Sequence, residues 1–389
     1  MSTGIANGQT QPPRQVATPP GQPPSRPRSS TTGILKLVVA ILVTLTIAAC
    51  GVSKASGSSD TRTDTVPKSS TASGAPATPS AATGSSAAGQ SLYEGASQPR
   101  PLPNVPDNVV TELSCTSDGF CAFTDQQGNV WTLHGNEWHG PNPTGLTLTS
   151  GVVCATKTYC VAYGEEETSE EASIYNGVNW TIAPYPGSGA LDSISCPSSK
   201  FCMAVDGDGY AATLNGATWS QPVAVVTTTE SGPQSLDDVS CPNPTFCIAL
   251  DSSGHSQRWE NGSWTAAGMS VGPNALGDVP LLLSCPTTTF CAAVDGQGSA
   301  YTWNGTAWRV QPLAGSAELE AIDCPEAGLC AAVGGSGGVG NEAILANEVW
   351  TVHQGVSPSE QLDAVACATA QTCLAASVYG HVSKVTFHW

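Results

Sequence analysis

Leu283-Ser-Cys-Pro-Thr-Thr-Thr-Phe-Cys-Ala-Ala-Val-Asp-Gly-Gln-Gly-Ser-Ala-Tyr-Thr-Trp-Asn-Gly-Thr-Ala-Trp308 reads as one complete structural unit. A short apolar stretch leads to Cys285, and Pro286 with its Thr run turns the chain. Phe290 to Val294 is a second apolar run, small and without polar alternation, as suits a strand buried on both faces. Asp295-Gly-Gln-Gly298 is a turn signal, Ala300 to Trp303 a third strand, and Asn304-Gly305 marks a tight hairpin into a fourth strand from Trp308. Four short strands joined by hairpins in about 42 residues make one blade of a β-propeller.

The unit recurs seven times. Fourteen of the fifteen cysteines fall into C-x5-C pairs: Cys115/Cys121, Cys154/Cys160, Cys196/Cys202, Cys241/Cys247, Cys285/Cys291, Cys324/Cys330 and Cys367/Cys373. Successive pairs begin 39 to 45 residues apart, a period that means stacked supersecondary units. The expected fold is all-β, a seven-bladed propeller of four-stranded blades over residues 91–389, with one disulfide per blade. Each bridge would join the first two strands across their turn, where opposed residues come close enough. Bridges between adjacent blades are the alternative. Zinc fits poorly, because no His accompanies these cysteines at a regular spacing.

Each hairpin is followed by a tryptophan, such as Trp180, Trp219 or Trp264. An aromatic residue or Leu stands five positions earlier: Leu133, Tyr175, Leu214, Trp259, Trp303, Leu345. These spacings point to packing between blades rather than to ligand stacking. The last unit ends at Trp389 without a fourth strand, while residues 91–102 precede the first unit where such a strand would lie. Ser97 to Leu102 echoes Trp308 to Leu313, so the N-terminal segment is expected to close the ring and remove its free edges.

The rest of the chain is different. Residues 1–36 and 51–90 are rich in Pro, Ser, Gly, Ala and Thr and bury too little apolar surface to fold. Between them, Leu37 to Ala49 is an apolar run of 13 residues after Lys36, short for a bilayer span and suited to a signal-peptide core. It ends in Ile47-Ala-Ala-Cys50-Gly51, which resembles a bacterial lipobox; Cys50 is also the one cysteine outside the seven pairs. Segment 37–50 therefore reads as an anchor with Cys50 lipidated, several acyl chains holding where one would be marginal. A transmembrane helix extending to about Val52 is the alternative. Either way the repeats would sit outside the membrane, in an oxidising compartment, on a tether spanning roughly 35 Å as a coil.

The signatures Ser-Cys-Pro-x3-Phe-Cys and Trp-Asn-Gly-x2-Trp resemble repeats of exported actinobacterial lipoproteins, over about residues 111–389. That resemblance implies the propeller and no particular activity.

From residue 91 onward 29 acidic residues face six basic ones, a net of −23, which repels phosphate backbones and argues against nucleic acid. No HExxH or GxSxG occurs, and Arg100, Arg258 and Arg309 fall on different blades, unlike a carboxylate-holding arginine cluster. Gly335 to Gly340 matches GxGxxG without the strand–turn–helix setting of a dinucleotide site. Asp206-Gly-Asp-Gly209 resembles a calcium loop but lacks its distal Glu. Neither a cofactor nor a metal is expected.

Two units replace the short turn found in most units, Asp-x-x-Gly, with a longer connection. The second has Gly164-Glu-Glu-Glu-Thr-Ser-Glu-Glu171, the sixth Gly334 to Asn341, and both lengthen the same connection on one face of the disc. Glu165, Glu166, Glu167, Glu170 and Glu171, with Gly335, Gly337, Gly338 and Asn341, are the candidate binding loops. The solvated charge run is the plainer reading of the glutamates. The function expected is a monomeric, non-catalytic, lipid-anchored propeller binding an envelope protein or glycan. The alternatives are a polysaccharide hydrolase or lyase with a carboxylate pair in the channel, and a sensor or assembly scaffold.

Overall fold

The computed structural model describes residues 93–96, 100–101 and 110–387, apart from 136, 168, 226–233, 271–280, 315–317 and 378. Segments 1–36, 37–50 with Cys50, and 51–90 lie outside the described residues.

Seven antiparallel sheets form, one per repeat, each a meander. The first strands are Val110–Cys115, Leu148–Thr156, Leu191–Ser198, Leu236–Asn243, Leu281–Thr287, Leu319–Glu326 and Leu362–Thr369. They neighbour one another in chain order, and the last returns to the first, so the ring is closed. Blade 5 follows its sequence reading: Phe290–Asp295, Ser299–Trp303 and Trp308–Pro312 complete it. In blade 3 the fourth strand is split into Thr218–Trp219 and Val223–Ala224, around Pro222, which has no N–H to give a ladder.

All seven C-x5-C pairs are disulfides within a blade: Cys115–Cys121, Cys154–Cys160, Cys196–Cys202, Cys241–Cys247, Cys285–Cys291, Cys324–Cys330 and Cys367–Cys373. Their Cα atoms stand 3.8 to 4.1 Å apart. Bridges between blades, the alternative pairing, do not occur. The second cysteine of every pair is sealed from solvent. Cys121, Cys160, Cys202, Cys247, Cys291, Cys330 and Cys373 are each at most 1% exposed, because each sits on a second strand covered by both neighbouring blades. These seven residues are therefore core as well as bridge, and none of them presents a surface to a ligand.

The second strands are buried along nearly their whole length; Phe123, Val161, Val205, Ile248, Ala293, Val333 and Ala375 are fully covered. The core is accordingly a set of seven slabs, each between two neighbouring blades.

The residue five before each hairpin tryptophan turns out to be its direct cross-strand partner. Leu133 faces Trp138, Tyr175 faces Trp180, Leu214 faces Trp219, Trp259 faces Trp264, Trp303 faces Trp308 and Leu345 faces Trp350. Their turns are of two kinds. Asn261 and Gly262 alone join the strands of blade 4, both with positive φ (49° and 96°), the tight form expected. In blades 2 and 5 the loop is wider than expected. There the Asn176 and Asn304 side chains accept backbone N–H groups of Val178, Asn179, Thr306 and Ala307 at 2.9–3.0 Å, and this local bond sets the turn.

The closing strand is supplied as expected by the N-terminal segment: Tyr93–Ala96 and Arg100–Pro101 both pair with His381–Phe387, the third strand of blade 7. Its register is that of the echo: Pro101 takes the place of Pro312, facing His381 as Pro312 faces Ser299.

Candidate functional site

Because every blade runs as the same meander, all turns between second and third strands emerge at one end of the disc. In four blades that turn is built on a buried aspartate. Asp125, Asp206, Asp251 and Asp295 are each 1% exposed. One carboxylate oxygen of each accepts the N–H groups two and four residues on, as Asp295 does from Gln297 (3.0 Å) and Ser299 (2.8 Å). The second oxygen takes the Trp131 indole N–H from Asp125's own blade, the Tyr185 hydroxyl at Asp206 and the Tyr301 hydroxyl at Asp295. Burial raises the Asp206 carboxyl above its ordinary range and lifts both tyrosines further still. Asp206-Gly-Asp-Gly209 is thus a capped turn with its carboxylate occupied. In blade 7 Ser377 takes the aspartate's place, accepting from Tyr379 and His381 N–H and donating to Glu360, which also meets the His381 ring.

The two departures expected to be loops are instead extensions of regular hairpins. In blade 2, Tyr159–Glu166 and Ser169–Tyr175 pair to the tip, where Glu167 has a positive φ of 56°. In blade 6, Leu329–Ser336 and Val339–Ala346 turn through Gly337 and Gly338, both with positive φ and exposed. Gly335 lies where an added Cβ would stand 2.1 Å from the Val339 carbonyl oxygen, so it admits the close crossing of the two strands. Asn341 is buried and its side-chain oxygen accepts the Gly355 N–H, which holds the neighbouring strand. The Gly335–Gly340 run therefore sits in a strand–turn–strand setting.

On the blade 2 ribbon, Glu165 and Glu170 face each other directly, and Glu166 faces Ser169. Glu165 and Glu167 are exposed. Glu166 accepts the Thr147 hydroxyl (3.0 Å) and Glu171 that of Ser169 (2.9 Å), while the other Glu171 oxygen is buried and meets no donor among the described residues. Glu170 reaches blade 3, accepting the Leu191 N–H at 3.4 Å. Burial pushes its carboxyl up to about 7; the Leu191 bond opposes this, and the charges of Glu165 and Glu171 add to it. Two like charges directly opposed on a ribbon disfavour the pairing unless a proton or a cationic group lies between them.

On the first strands, Glu112, Asp238 and Asp323 act as inter-blade latches. Glu112 accepts the Val152 N–H (2.9 Å) and the Tyr163 hydroxyl (3.0 Å). Gly151 makes this possible: a Cβ there would stand 1.8 Å from the Glu112 oxygen. Tyr163 is buried and its hydroxyl is held well above its usual pKa by that burial, with the Glu112, Asp238 and Asp192 charges contributing. Asp238 takes the Ser193 hydroxyl and Leu283 N–H, both at 2.7 Å, and Asp323 takes the Ser284 hydroxyl and Cys367 N–H. A second girdle runs through the residue just before the first cysteine in five of the blades. Ser114, Ser195, Ser240, Ser284 and Asp323 accept the N–H of Cys154, Cys241, Cys285, Cys324 and Cys367 of the next blade. The pattern is legible as the recurrent Ser before Cys, a signal that spacing alone does not interpret.

Arg258 and Arg309 stand on blades 4 and 5, and Arg258 pairs with Glu260 of its own strand at 3.2 Å. Among the described residues no three His, Cys, Asp or Glu side chains gather as a metal site would require.

This geometry defines a seven-bladed, WD40-like propeller. Its solved neighbours are of that fold. YCF48 from Cyanidioschyzon merolae matches with a TM-score of 0.57 at 16% identity, over 75% of this chain and 99% of that one. The WD40 β-propeller domain of Doa1 matches at 0.59 and 13%, over 76% and 98%. The RRP9 WD40 repeats match at 0.61 and 9%, over 76% and 99%. No family model and no curated protein matches the chain.

Proposed function

We propose that the protein is a non-catalytic scaffold, lipid-anchored through Cys50 on the outer face of the cytoplasmic membrane, whose turn-bearing end binds a protein or glycan of the cell envelope. The observation that carries this reading is the directly opposed pair Glu165 and Glu170 on a ribbon that stands out of the repeat. That pairing is relieved when a basic group of a partner settles between the two carboxylates, so a basic protein segment suits it best. The propeller supports the ribbon rigidly, and a rigid support lets a loop bind without a large ordering cost. Glu112, Asp238 and Asp323 are engaged in latches, which supports a binding role over hydrolysis for these three. The test is affinity capture from an envelope extract with the full chain, wild type against Glu165→Lys/Glu167→Lys. A partner retained by the wild type and lost by the variant is the expected result. Equal capture by both, or cleavage of extract polysaccharide by the wild type, would overturn it.

A further inference from the structure

A groove of about 560 Å3 runs along the rim between the outer strands of blades 1 and 2. Its volume falls within the roughly 300–1,000 Å3 of small-ligand sites. Blade 1 lines it with Thr132, His134, His139 and Asn142, and blade 2 with Tyr175 and Trp180. The two aromatic rings lie 5.3 Å apart at 37°, both half-buried, and the two imidazoles meet edge to face at 5.0 Å with both rings exposed. Among the described residues the paired imidazoles do not recur, although the cross-strand aromatic pair does, as Trp259 with Trp264 and Trp303 with Trp308. The positions of His134 and His139 hold Asn215 and Ser220 in blade 3, Glu260 and Thr265 in blade 4, and Asn304 and Arg309 in blade 5.

Trp180 of the groove has counterparts in the other blades that are held in different ways. In blade 5 the equivalent tryptophan, Trp308, donates its indole N–H to Ser256 of the preceding blade (3.2 Å), and in blade 3 Trp219 donates to the Ala183 carbonyl (3.1 Å). Trp350 of blade 6 is simply buried. At the place of Ser256 blade 1 has Val130, as blades 3 and 5 have Ala211 and Ala300, and none of these side chains offers an acceptor.

We infer that this groove is a saccharide-binding site, taking a neutral oligosaccharide along the rim. No Asp, Glu, Lys or Arg lines it, so the groove holds no carboxylate, ammonium or guanidinium group to pair with a charged ligand. Apart from the buried Cys160, the only non-aromatic apolar side chains are Val130 and Val178, too few for a lipid or an apolar peptide. What remains is a pair of aromatic faces beside a hydroxyl, an amide and two imidazoles. Sugars match that combination: their C–H faces lie on aromatic rings, and their hydroxyls satisfy uncharged donors and acceptors. The site lies on the rim, apart from the blade 2 ribbon tip, and the inference stands independently of the function proposed above.

The test is isothermal titration of the full chain with maltohexaose, cellohexaose, mannohexaose and xylohexaose. The expected result is saturable binding of at least one. His139→Ala and Val178→Glu, both at exposed positions, should weaken it at least tenfold with an unchanged melting temperature, and Glu165→Lys/Glu167→Lys should leave it unaltered. No saturable binding of any of the four sugars, or binding that both groove variants retain, would overturn the inference. So would an apolar peptide competing for the groove where sugars fail.

Discussion

At the scale of single residues, one carboxyl oxygen in this fold repeatedly does what a stretch of backbone does elsewhere. Asp295 satisfies two turn N–H groups and a buried tyrosine hydroxyl at once, and its equivalents do nearly the same. Sequence reading found these aspartates as turn residues. It could not find their second oxygen's partner, because Trp131 and Tyr301 reach it from six residues on, whereas blade 3 has Ala212 there and Tyr185 comes from the preceding connection. Glu170 is the residue whose charge state the fold changes most usefully for experiment. Its folded pKa, about 7, lies above the ordinary glutamate value near 4.5. Between those values the folded state holds a proton that the unfolded chain has released, so stability must fall as pH rises from about 4.5 to 7. Asp206 and Asp323, also raised by burial, slope the same way, while His353, lowered by burial, slopes oppositely. Glu170→Gln should therefore flatten the decline of the urea midpoint across that window. An unchanged slope would show that Glu170 is not the group responsible.

At the scale of the element, the closing strand and the two ribbons show what a repeat can and cannot announce. That a fourth strand was missing from blade 7 followed from counting, and the segment that supplies it followed from its position. The register followed as well, because laying Ser97 to Leu102 on Trp308 to Leu313 sets Pro101 at the place of Pro312, where it faces His381. Deleting residues 91–102 exposes the backbone edge of His381–Phe387 and opens the ring. The melting temperature should drop by several degrees, because a ring of blades shares its stability through its closing contact. A melting curve that does not move would show that blade 7 holds without that strand. The ribbons were legible as insertions, but their regular pairing to the tip was not. Alternation is hidden in a run of glutamates, where both faces carry the same side chain.

At the scale of the whole molecule, each blade buries its second strand between two neighbours, and each disulfide closes the same small loop beside that strand. A loop this short contributes roughly 2 kcal/mol by the chain-entropy estimate. Replacing Cys285 and Cys291 together by Ala should cost about that much in urea unfolding, with a similar cost for the corresponding pair in any other blade. A cost confined to one or two blades would show that the bridges serve something other than uniform bracing. Sequence alone determined the number of blades, their four strands, the pairing partners of the cysteines as the favoured choice, and the site of closure. Each of these rests on local spacing, and a repeat states local spacing seven times over. Tertiary structure decided what the polar residues do. Glu112, Asp238 and Asp323 became latches because their partners belong to the next blade, about 40 to 50 residues away. The rim groove likewise brings Thr132 and His139 of one blade to Tyr175 and Trp180 of the next. Contacts between blades join positions one full repeat apart, and no pattern within a single unit encodes them.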